Sequence, residues 1–215
     1  MYLPTHFEQP DQETIHRLMR ESPLATLVTL REGGIEANHL PMQLVLDGTS
    51  ITLRFHVARA NPVWRDAAAA GEALAIFQGP DTYISPSWYA TKAEHGKVVP
   101  TWNYAVVHAY GRLTAFDDKA WLREFLPALT ATHEARFEKP WQVGDAPSDY
   151  VDKMMSAVVG MELAVTRLVS KWKASQNQPA VNRPTLIAGL EQADQPGARA
   201  MAQLVAEQFG RQGKG

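Results

Sequence analysis

The spacing of hydrophobic and polar residues predicts a chain made largely of β-strands. Between positions 51 and 57 apolar and polar residues alternate, which is the pattern of a strand with one buried face. Leu24–Leu30 and Ala73–Gln78 are predominantly apolar and predict buried strands. A longer strand is predicted over Asn103–Phe116, where Gly111 permits a bend or a bulge.

Turn residues join four of the predicted strands into two hairpins. Glycine-containing turns between short apolar segments are typical of antiparallel strand pairs. The predicted hairpins are residues 24–30 with 35–40, around Glu32-Gly33-Gly34, and residues 42–46 with 51–57, around Asp47-Gly48.

Capping residues predict helices between the strands. Asn61 as the N-cap, Pro62 at the first helical position and Gly71 at the C-terminal cap predict one helix. Asp117 is predicted to cap a second helix, which Pro127 breaks or restarts. The other predicted helices begin after Asp11, run from Ser148 to Met155, and cover Ala198–Phe209.

This order of elements predicts a β-barrel with helices, an α+β fold. A length of 215 residues fits one domain with an appendage. We place the main domain, with its inserted helices, at residues 1–170. The polar, proline-containing segment from Lys171 to Pro184 then begins an appendage at residues 171–215, which consists of a polar loop and a C-terminal helical tail.

Composition narrows the possible functions. The chain has no cysteine, which excludes disulfides and thiolate sites and fits a cytoplasmic protein. The formal net charge of −2 gives no bulk support for nucleic-acid binding, although a dimer could still present a local basic patch to DNA. The N-terminal residues lack the pattern of a signal peptide, and no apolar run is long enough for a membrane span. We therefore expect a cytoplasmic protein with no membrane partner.

The stretch from Phe77 to Tyr110 mixes aromatic and polar residues. A core strand would be rich in Val, Ile and Leu and would not need this mixture. Flat rings with a few polar groups suit a pocket for a planar, polar-edged ligand, but a wet interface between subunits is an equal alternative. The aromatic residues include Tyr83, Trp88, Tyr89, Trp102 and Tyr104, and the polar residues include Asn103 and His108.

The segment from His56 to Pro62 leaves a strand and enters the first predicted helix. Backbone N–H groups at a helix start, together with the Arg59 guanidinium, suit a phosphate, and His56 is close in sequence. The alternative is that Arg59 makes a surface ion pair and that Asn61 only caps the helix. The segment lacks the glycines of a P-loop.

Two further segments carry candidate polar contacts. Asn38 and His39 are adjacent on a predicted strand and suit the rim of a heterocycle, but a histidine satisfied within its hairpin is the competing interpretation. The segment Lys171–Asn177, KWKASQN, suits a loop that closes over a ligand or bridges subunits. It also suits a solvated hinge before the tail.

Several catalytic motifs are absent. His133-Glu134 has no second histidine at the spacing of a zincin. There is no GxGxxG, Walker A or GxSxG motif. The scattered histidines give no support for a histidine-built metal site, and no compact helix-turn-helix with a basic recognition helix is visible.

A series of segments, in order, resembles the PaiB family, whose members are called FMN-binding negative transcriptional regulators. The resemblance covers nearly the whole chain. It implies an FMN-binding split β-barrel with a C-terminal helical extension, in a homodimer with flavin pockets at the subunit interface. The matching segments are MYLPTHF at 1–7, ANHLP at 37–41, HVARANP at 56–62, FQGPDTYISPSWY at 77–89, VPTWNYAVVHAYG at 99–111, DAPSDY at 145–150, VVGME at 158–162 and KWKASQN at 171–177.

With FMN as the implied cofactor, a set of site residues can be named. We expect Arg59, with His56 and Asn61, to hold the 5′-phosphate. The residues expected around the isoalloxazine are Asn38 and His39 on one side, Trp102, Asn103 and Tyr104 for stacking and edge contacts, and Ser175, Gln176 and Asn177, which complete the pocket.

Three functions remain open from the sequence. The family name implies a negative transcriptional regulator or a flavin-dependent sensor, which would contact operator DNA. A flavin-dependent oxidoreductase that consumes NAD(P)H is the first alternative. A haem-binding split barrel is the second, with His39, His56 or His108 as the candidate axial ligand.

Overall fold

The computed structural model describes residues 1–67 and 71–212. Strands β1 to β7 are Leu24–Arg31, Gly34–Pro41, Gln43–Asp47, Ser50–Ala58, Glu72–Ile84, Thr101–Phe116 and Val158–Lys173. Helices α1 to α6 are Gln12–Glu21, Thr91–His95, Lys119–Glu134, Ser148–Ser156, Asn182–Gln192 and Ala198–Gln212. Short 3₁₀ helices lie at Thr5–Phe7, Pro62–Trp64, Pro86–Trp88 and Val143–Asp145.

The strands form one seven-stranded sheet in the order β2-β1-β5-β6-β7-β4-β3. Antiparallel pairs join β1 to β2 and to β5, β3 to β4, and β4 to β7. Both predicted hairpins are therefore confirmed, as β1–β2 and β3–β4. Helices accompany the sheet along the chain, which confirms the predicted α+β fold.

The described chain contains two compact units, each made of several segments. The hairpin unit comprises residues 19–77 and 108–168. The terminal unit comprises residues 1–18, 78–107 and the described residues from Val169 onward. Fully buried side chains in the hairpin unit include Leu27, Leu53, Phe55, Phe77, Phe125, Met161 and Leu163, and those in the terminal unit include Ile15, Ile84 and Leu186. The predicted domain division at residue 170 stays a prediction.

The segment after β4 differs from the prediction of a helix beginning at Pro62. Among residues 62–67, which the structure describes, Pro62–Trp64 is helical and residues 65–67 continue as turns and a bend. Asn61 does cap this short turn, because its Oδ1 accepts a hydrogen bond from the N–H of Val63 at 3.0 Å. The Trp64 indole donates to the Arg59 carbonyl at 3.0 Å and folds the turn back onto the end of β4. The predicted helical residues 68–70 lie outside the described residues.

Two predictions about α3 are wrong. Asp118, not Asp117, is the N-cap, since its Oδ1 accepts from the Ala120 N–H at 2.8 Å. Pro127 lies inside a continuous helix, although a proline removes one backbone hydrogen bond. Tertiary packing compensates for that loss, because one side of α3 is buried. The buried side chains of α3 are Leu122, Phe125 and Leu129.

Strand β6 begins two residues before its predicted start at Asn103, and β7 continues into the segment predicted as a loop. Gly111 lies within β6 without interrupting it, and a Cβ there would meet the Ala164 carbonyl oxygen of β7 at 2.2 Å. Glycine is required by this close approach rather than by a bend. β7 continues to Lys173, so the loop predicted from Lys171 begins only after that residue. Helix α5, which follows the loop, was not predicted from the sequence.

Candidate functional site

Arg59 lies directly after β4 in the hairpin unit, and all of its side-chain nitrogens have acceptors. Its Nη1 and Nη2 donate to the two carboxylate oxygens of Asp117 at 2.8 and 2.6 Å. Its Nε donates to the Ser156 carbonyl at 2.8 Å, and Nη2 is 3.3 Å from the Val158 carbonyl. The hydrogen bonds with Arg59 lower the pKa of Asp117, and those with Asp117 raise the pKa of Arg59. The surface ion pair that the sequence left open is thus present.

Asn38 and Asn61, which are separated by 23 residues, are brought together by the fold. The Asn61 Nδ2 donates to the Asn38 Oδ1 at 2.7 Å, while the Asn38 Nδ2 donates to Glu36 at 3.2 Å. Glu36 in turn accepts from Arg31 at 2.5 Å. The amides of these two predicted site residues therefore tie β2 to the turn after β4.

His39 and Asn38 face opposite sides of the sheet, because neighbouring residues in a strand alternate. The His39 side chain is exposed, and its Nδ1 lies 3.1 Å from the Thr26 hydroxyl. The two residues therefore do not present a common surface. Their expected roles beside an isoalloxazine stay predictions.

Two histidines of the hairpin unit have a buried Nδ1 atom without a hydrogen-bond partner. His56, on β4, meets Phe125 of α3 edge-on, with 6.1 Å between the ring centroids. His108, on β6, lies 6.2 Å from the Tyr110 ring. Burial lowers the pKa of both imidazoles, so both rings favour the neutral form.

In the terminal unit, Asn103 and Ser175 form the centre of a buried hydrogen-bond network. The Asn103 side chain is fully buried, and its Nδ2 donates to the Ser175 hydroxyl at 2.9 Å. The same hydroxyl lies 3.3 Å from the Asn103 Oδ1 and 3.3 Å from the Tyr89 hydroxyl. Ser175 has a φ of 60°, which is uncommon for a residue with a side chain. The network brings together residues that are 72 and 86 positions apart in sequence.

The residues after Ser175 have different roles. Gln176 holds the turn in place, since its Nε2 donates to the Trp172 carbonyl at 2.5 Å and its Oε1 accepts from the Ala174 N–H at 2.7 Å. Asn177 is exposed in the same turn. The segment is thus an ordered turn that follows β7.

Trp102 and Tyr104 lie on the face of β6 opposite to Asn103. The Trp102 side chain is 55% exposed and meets Tyr83 edge-on at 6.3 Å between ring centroids. Tyr83 is also exposed. An exposed indole of this kind can stack against a planar ligand.

Two lysines near the end of β7 belong to the candidate segment KWKASQN but are not among the site residues expected from the sequence. Lys171 is only 7% exposed, and its Nζ donates to the Tyr2 carbonyl at 3.2 Å and lies 5.4 Å from the Tyr104 ring. The Lys173 Nζ donates to the Thr101 hydroxyl, and burial lowers the pKa of this lysine. Their alternating positions in KWK could have indicated a shared strand face.

Two other features concern metal ions and membranes. Within residues 1–67 and 71–212, no cluster of His, Asp and Glu side chains could hold a metal ion. The same part of the chain contains no helix that is long and apolar enough to cross a membrane.

Residues 1–167 match the family described as "Putative FMN-binding domain". The chain belongs to this family. Membership supports FMN as its cofactor and agrees with the resemblance to PaiB proteins.

Similar proteins extend this result to the whole chain. The chain is 30% identical to the protease synthase and sporulation protein PAI 2 of Bacillus subtilis, over 99% of this chain and 100% of that one. This full-length similarity confirms the PaiB resemblance.

Solved structures support the fold. A FAD and heme binding protein from Mycobacterium smegmatis has a TM-score of 0.60 at 20% identity and covers 85% of this chain and 80% of its own. The flavocytochrome Anf3 from Azotobacter vinelandii has a TM-score of 0.50 at 17% identity, over 77% of this chain and 69% of its own. At these identities the likeness is evidence for the fold alone, and it confirms the split-barrel architecture.

Proposed function

We propose that this protein binds FMN and acts as a negative transcriptional regulator or flavin-dependent sensor of the PaiB type. The full-length similarity to PAI 2 carries this proposal, because it covers 99% of this chain and all of the relative. The name of that relative connects it to protease synthesis and sporulation. We infer a regulatory role for this protein from its similarity to that relative.

Side chains of the terminal unit support the flavin part of the proposal. A flavin needs a flat face for its ring system and polar groups for the edges of the ring. The exposed Trp102 indole offers the flat face, with Tyr83 beside it. FMN would supply redox chemistry or act as a sensed ligand, and the protein would supply binding and orientation.

Absorbance of the purified protein tests flavin binding. A scan from about 350 to 500 nm distinguishes bound flavin from haem, which would give a Soret band instead. Protein isolated without cofactor is then titrated with FMN, and we expect saturable binding. If neither the purified protein nor the titrated protein holds FMN, the flavin part of the proposal is wrong.

A second experiment tests the regulatory part. We expect the protein to retard DNA from the region upstream of its own gene, with binding that weakens steeply as salt rises. The assay is run with oxidised and with reduced FMN, since a sensor should respond to that difference. No retardation in either state contradicts the regulator. Steady consumption of NADH or NADPH by the loaded protein would instead favour the oxidoreductase alternative.

We also propose that the protein is a homodimer joined through one face of the β1–β2 hairpin. Leu30 and Ile35 are paired across the hairpin and are 64% and 80% exposed. Two positions further along the hairpin, Val28 is paired with Ala37 on the same face. Exposed apolar patches of this kind are typical of contact surfaces.

Sedimentation of variants tests this dimer. Ile35→Lys should shift the protein towards monomer, because a charge in an apolar interface is costly. The control is Leu46→Lys, at an exposed position near the end of β3. A monomeric wild type contradicts the homodimer, and a dimeric Ile35→Lys variant contradicts this interface. A cytoplasmic location belongs to the same proposal and is supported by the absence of cysteine.

A further inference from the structure

The ammonium group of Lys173 is partly buried and has no carboxylate partner in the described part of the chain. Its hydrogen-bond acceptor is the Thr101 hydroxyl. Burial disfavours its charged form, and the second lysine on the same strand, Lys171, lowers its pKa further. Lys171 is more deeply buried, and its Nζ contacts a carbonyl oxygen and aromatic rings.

Three partly buried arginines of the hairpin unit are neutralised by acids. Arg31 binds Glu36 and Asp66, and Arg54 binds Glu162. Arg59 binds Asp117. A desolvated cation without a counter-charge destabilises a fold, so such a residue usually has a partner. The lysine pair departs from this pattern, and a bound anion would supply the missing negative charge.

The surroundings of Lys173 suit an oxyanion. An ammonium has three N–H donors, and the Thr101 hydroxyl accepts only one of them. The Thr101 hydroxyl is itself a donor that can turn towards an oxyanion.

We propose that Lys173, supported by Lys171 and Thr101, binds the phosphate of a phosphate monoester. The phosphate can belong to FMN or to a separate small molecule, and the first of these rests on the proposed function. In either case the site differs from the one expected at Arg59. The Arg59 guanidinium already has acceptors for its nitrogens in Asp117 and two carbonyl groups, whereas the Lys173 ammonium retains free donors.

Three ligands measured against matched variants test the proposal. The protein is titrated with inorganic phosphate, FMN and riboflavin, which is FMN without its phosphate. The variants are Lys173→Met, which removes the charge, and Lys173→Arg, which keeps it. The control is Lys139→Met, at an exposed loop position. Thermal denaturation of each variant shows that it is folded.

We expect Lys173→Met to weaken binding of a phosphate-bearing ligand about tenfold or more, since one partner of a desolvated charge pair is lost. Lys173→Arg should recover most of this loss, and Lys139→Met should change nothing. A loss for FMN and inorganic phosphate, but not riboflavin, identifies the FMN phosphate. A loss for inorganic phosphate alone identifies a separate phosphorylated ligand.

Two results would overturn the proposal. In the first, Lys173→Met binds inorganic phosphate and FMN as the wild type does. In the second, FMN and riboflavin weaken equally with no effect on phosphate. The two proposals can fail separately. If the protein binds no FMN but binds inorganic phosphate in a way that depends on Lys173, the proposed function is wrong and the phosphate site at Lys173 stands.

Discussion

Replacing Ser175 by alanine tests the hydrogen-bond network at the centre of the terminal unit. The Ser175 hydroxyl contacts both polar atoms of the Asn103 amide and the Tyr89 hydroxyl. Asn103 is fully buried, and Tyr89 is 3% exposed. Alanine therefore leaves a buried amide and a buried hydroxyl without their partner.

The size of the effect follows from these lost partners. A buried polar group left without a hydrogen bond costs about 1–3 kcal/mol. With two groups affected, and some relaxation, we expect Ser175→Ala to lower the free energy of unfolding by about 2–4 kcal/mol. For a chain of this length that corresponds to a fall in Tm of roughly 4–16 °C. Burial already raises the pKa of Tyr89, so its hydroxyl stays protonated and keeps its need for an acceptor.

Urea unfolding followed by tryptophan fluorescence measures the change. The matched variants are Asn103→Leu and the double variant Asn103→Leu with Ser175→Ala. The double variant removes the unpaired Asn103 amide and leaves only the Tyr89 hydroxyl without its partner. It should therefore be about 0.5–3 kcal/mol more stable than the sum of the single changes predicts. This non-additivity is the signature of a shared network.

Two outcomes would refute this reasoning. Additive single effects would mean that Asn103 and Ser175 act independently. A Ser175→Ala protein with unchanged stability but weakened FMN binding would mean that the hydroxyl serves mainly as a flavin contact, as the sequence interpretation proposed.

Two further predictions concern the hairpin unit. Gly111→Ala should lower the free energy of unfolding by about 1–3 kcal/mol, because the added Cβ would lie 2.2 Å from a backbone oxygen. The control is Gly144→Ala, whose Cβ would meet nothing within 4 Å. If both variants lose the same stability in urea unfolding, the close contact does not explain the effect. Burial holds the pKa of folded His56 below the unfolded value of about 6.5, so stability should be complete above that pH and fall as pH drops towards the folded pKa. We expect the dependence of Tm on pH between about pH 5 and 8 to be weaker in His56→Gln than in the wild type. If Tm changes with pH equally in both proteins, His56 is not the group responsible.

The hairpins could be predicted from the sequence because the information that specifies them is local. Alternation of apolar residues sets the buried face of a strand, and the turns at Gly33-Gly34 and Asp47-Gly48 set the pairing. The errors arise where tertiary contacts override a local signal. Pro127 remains inside α3 because neighbouring turns are buried, and Asn61 caps only a 3₁₀ turn because Trp64 bonds back to the chain before it.

The candidate site was less predictable for a related reason. Residue types identified Asn103, Ser175 and Arg59 as polar groups that could bind a ligand. Their partners lie far away in sequence, and Asp117 is 58 residues from Arg59. Only the fold reveals that the Asp117 carboxylate is paired with the Arg59 guanidinium. Only the fold reveals that no acid among residues 1–67 and 71–212 is paired with Lys173 in the same way.

The variant Asp117→Asn distinguishes the two candidate phosphate sites, because each site predicts a different change in FMN affinity. If Arg59 held the FMN phosphate, the phosphate would have to displace the Asp117 carboxylate or bind beside it, and the two anions would repel each other. Asp117→Asn would then free the guanidinium and tighten FMN binding. If Lys173 holds the phosphate, Asp117→Asn leaves FMN affinity unchanged, because the carboxylate is not among the groups that act on Lys173. We expect no change in an FMN titration, and tighter binding by the variant would restore Arg59 as the anchor.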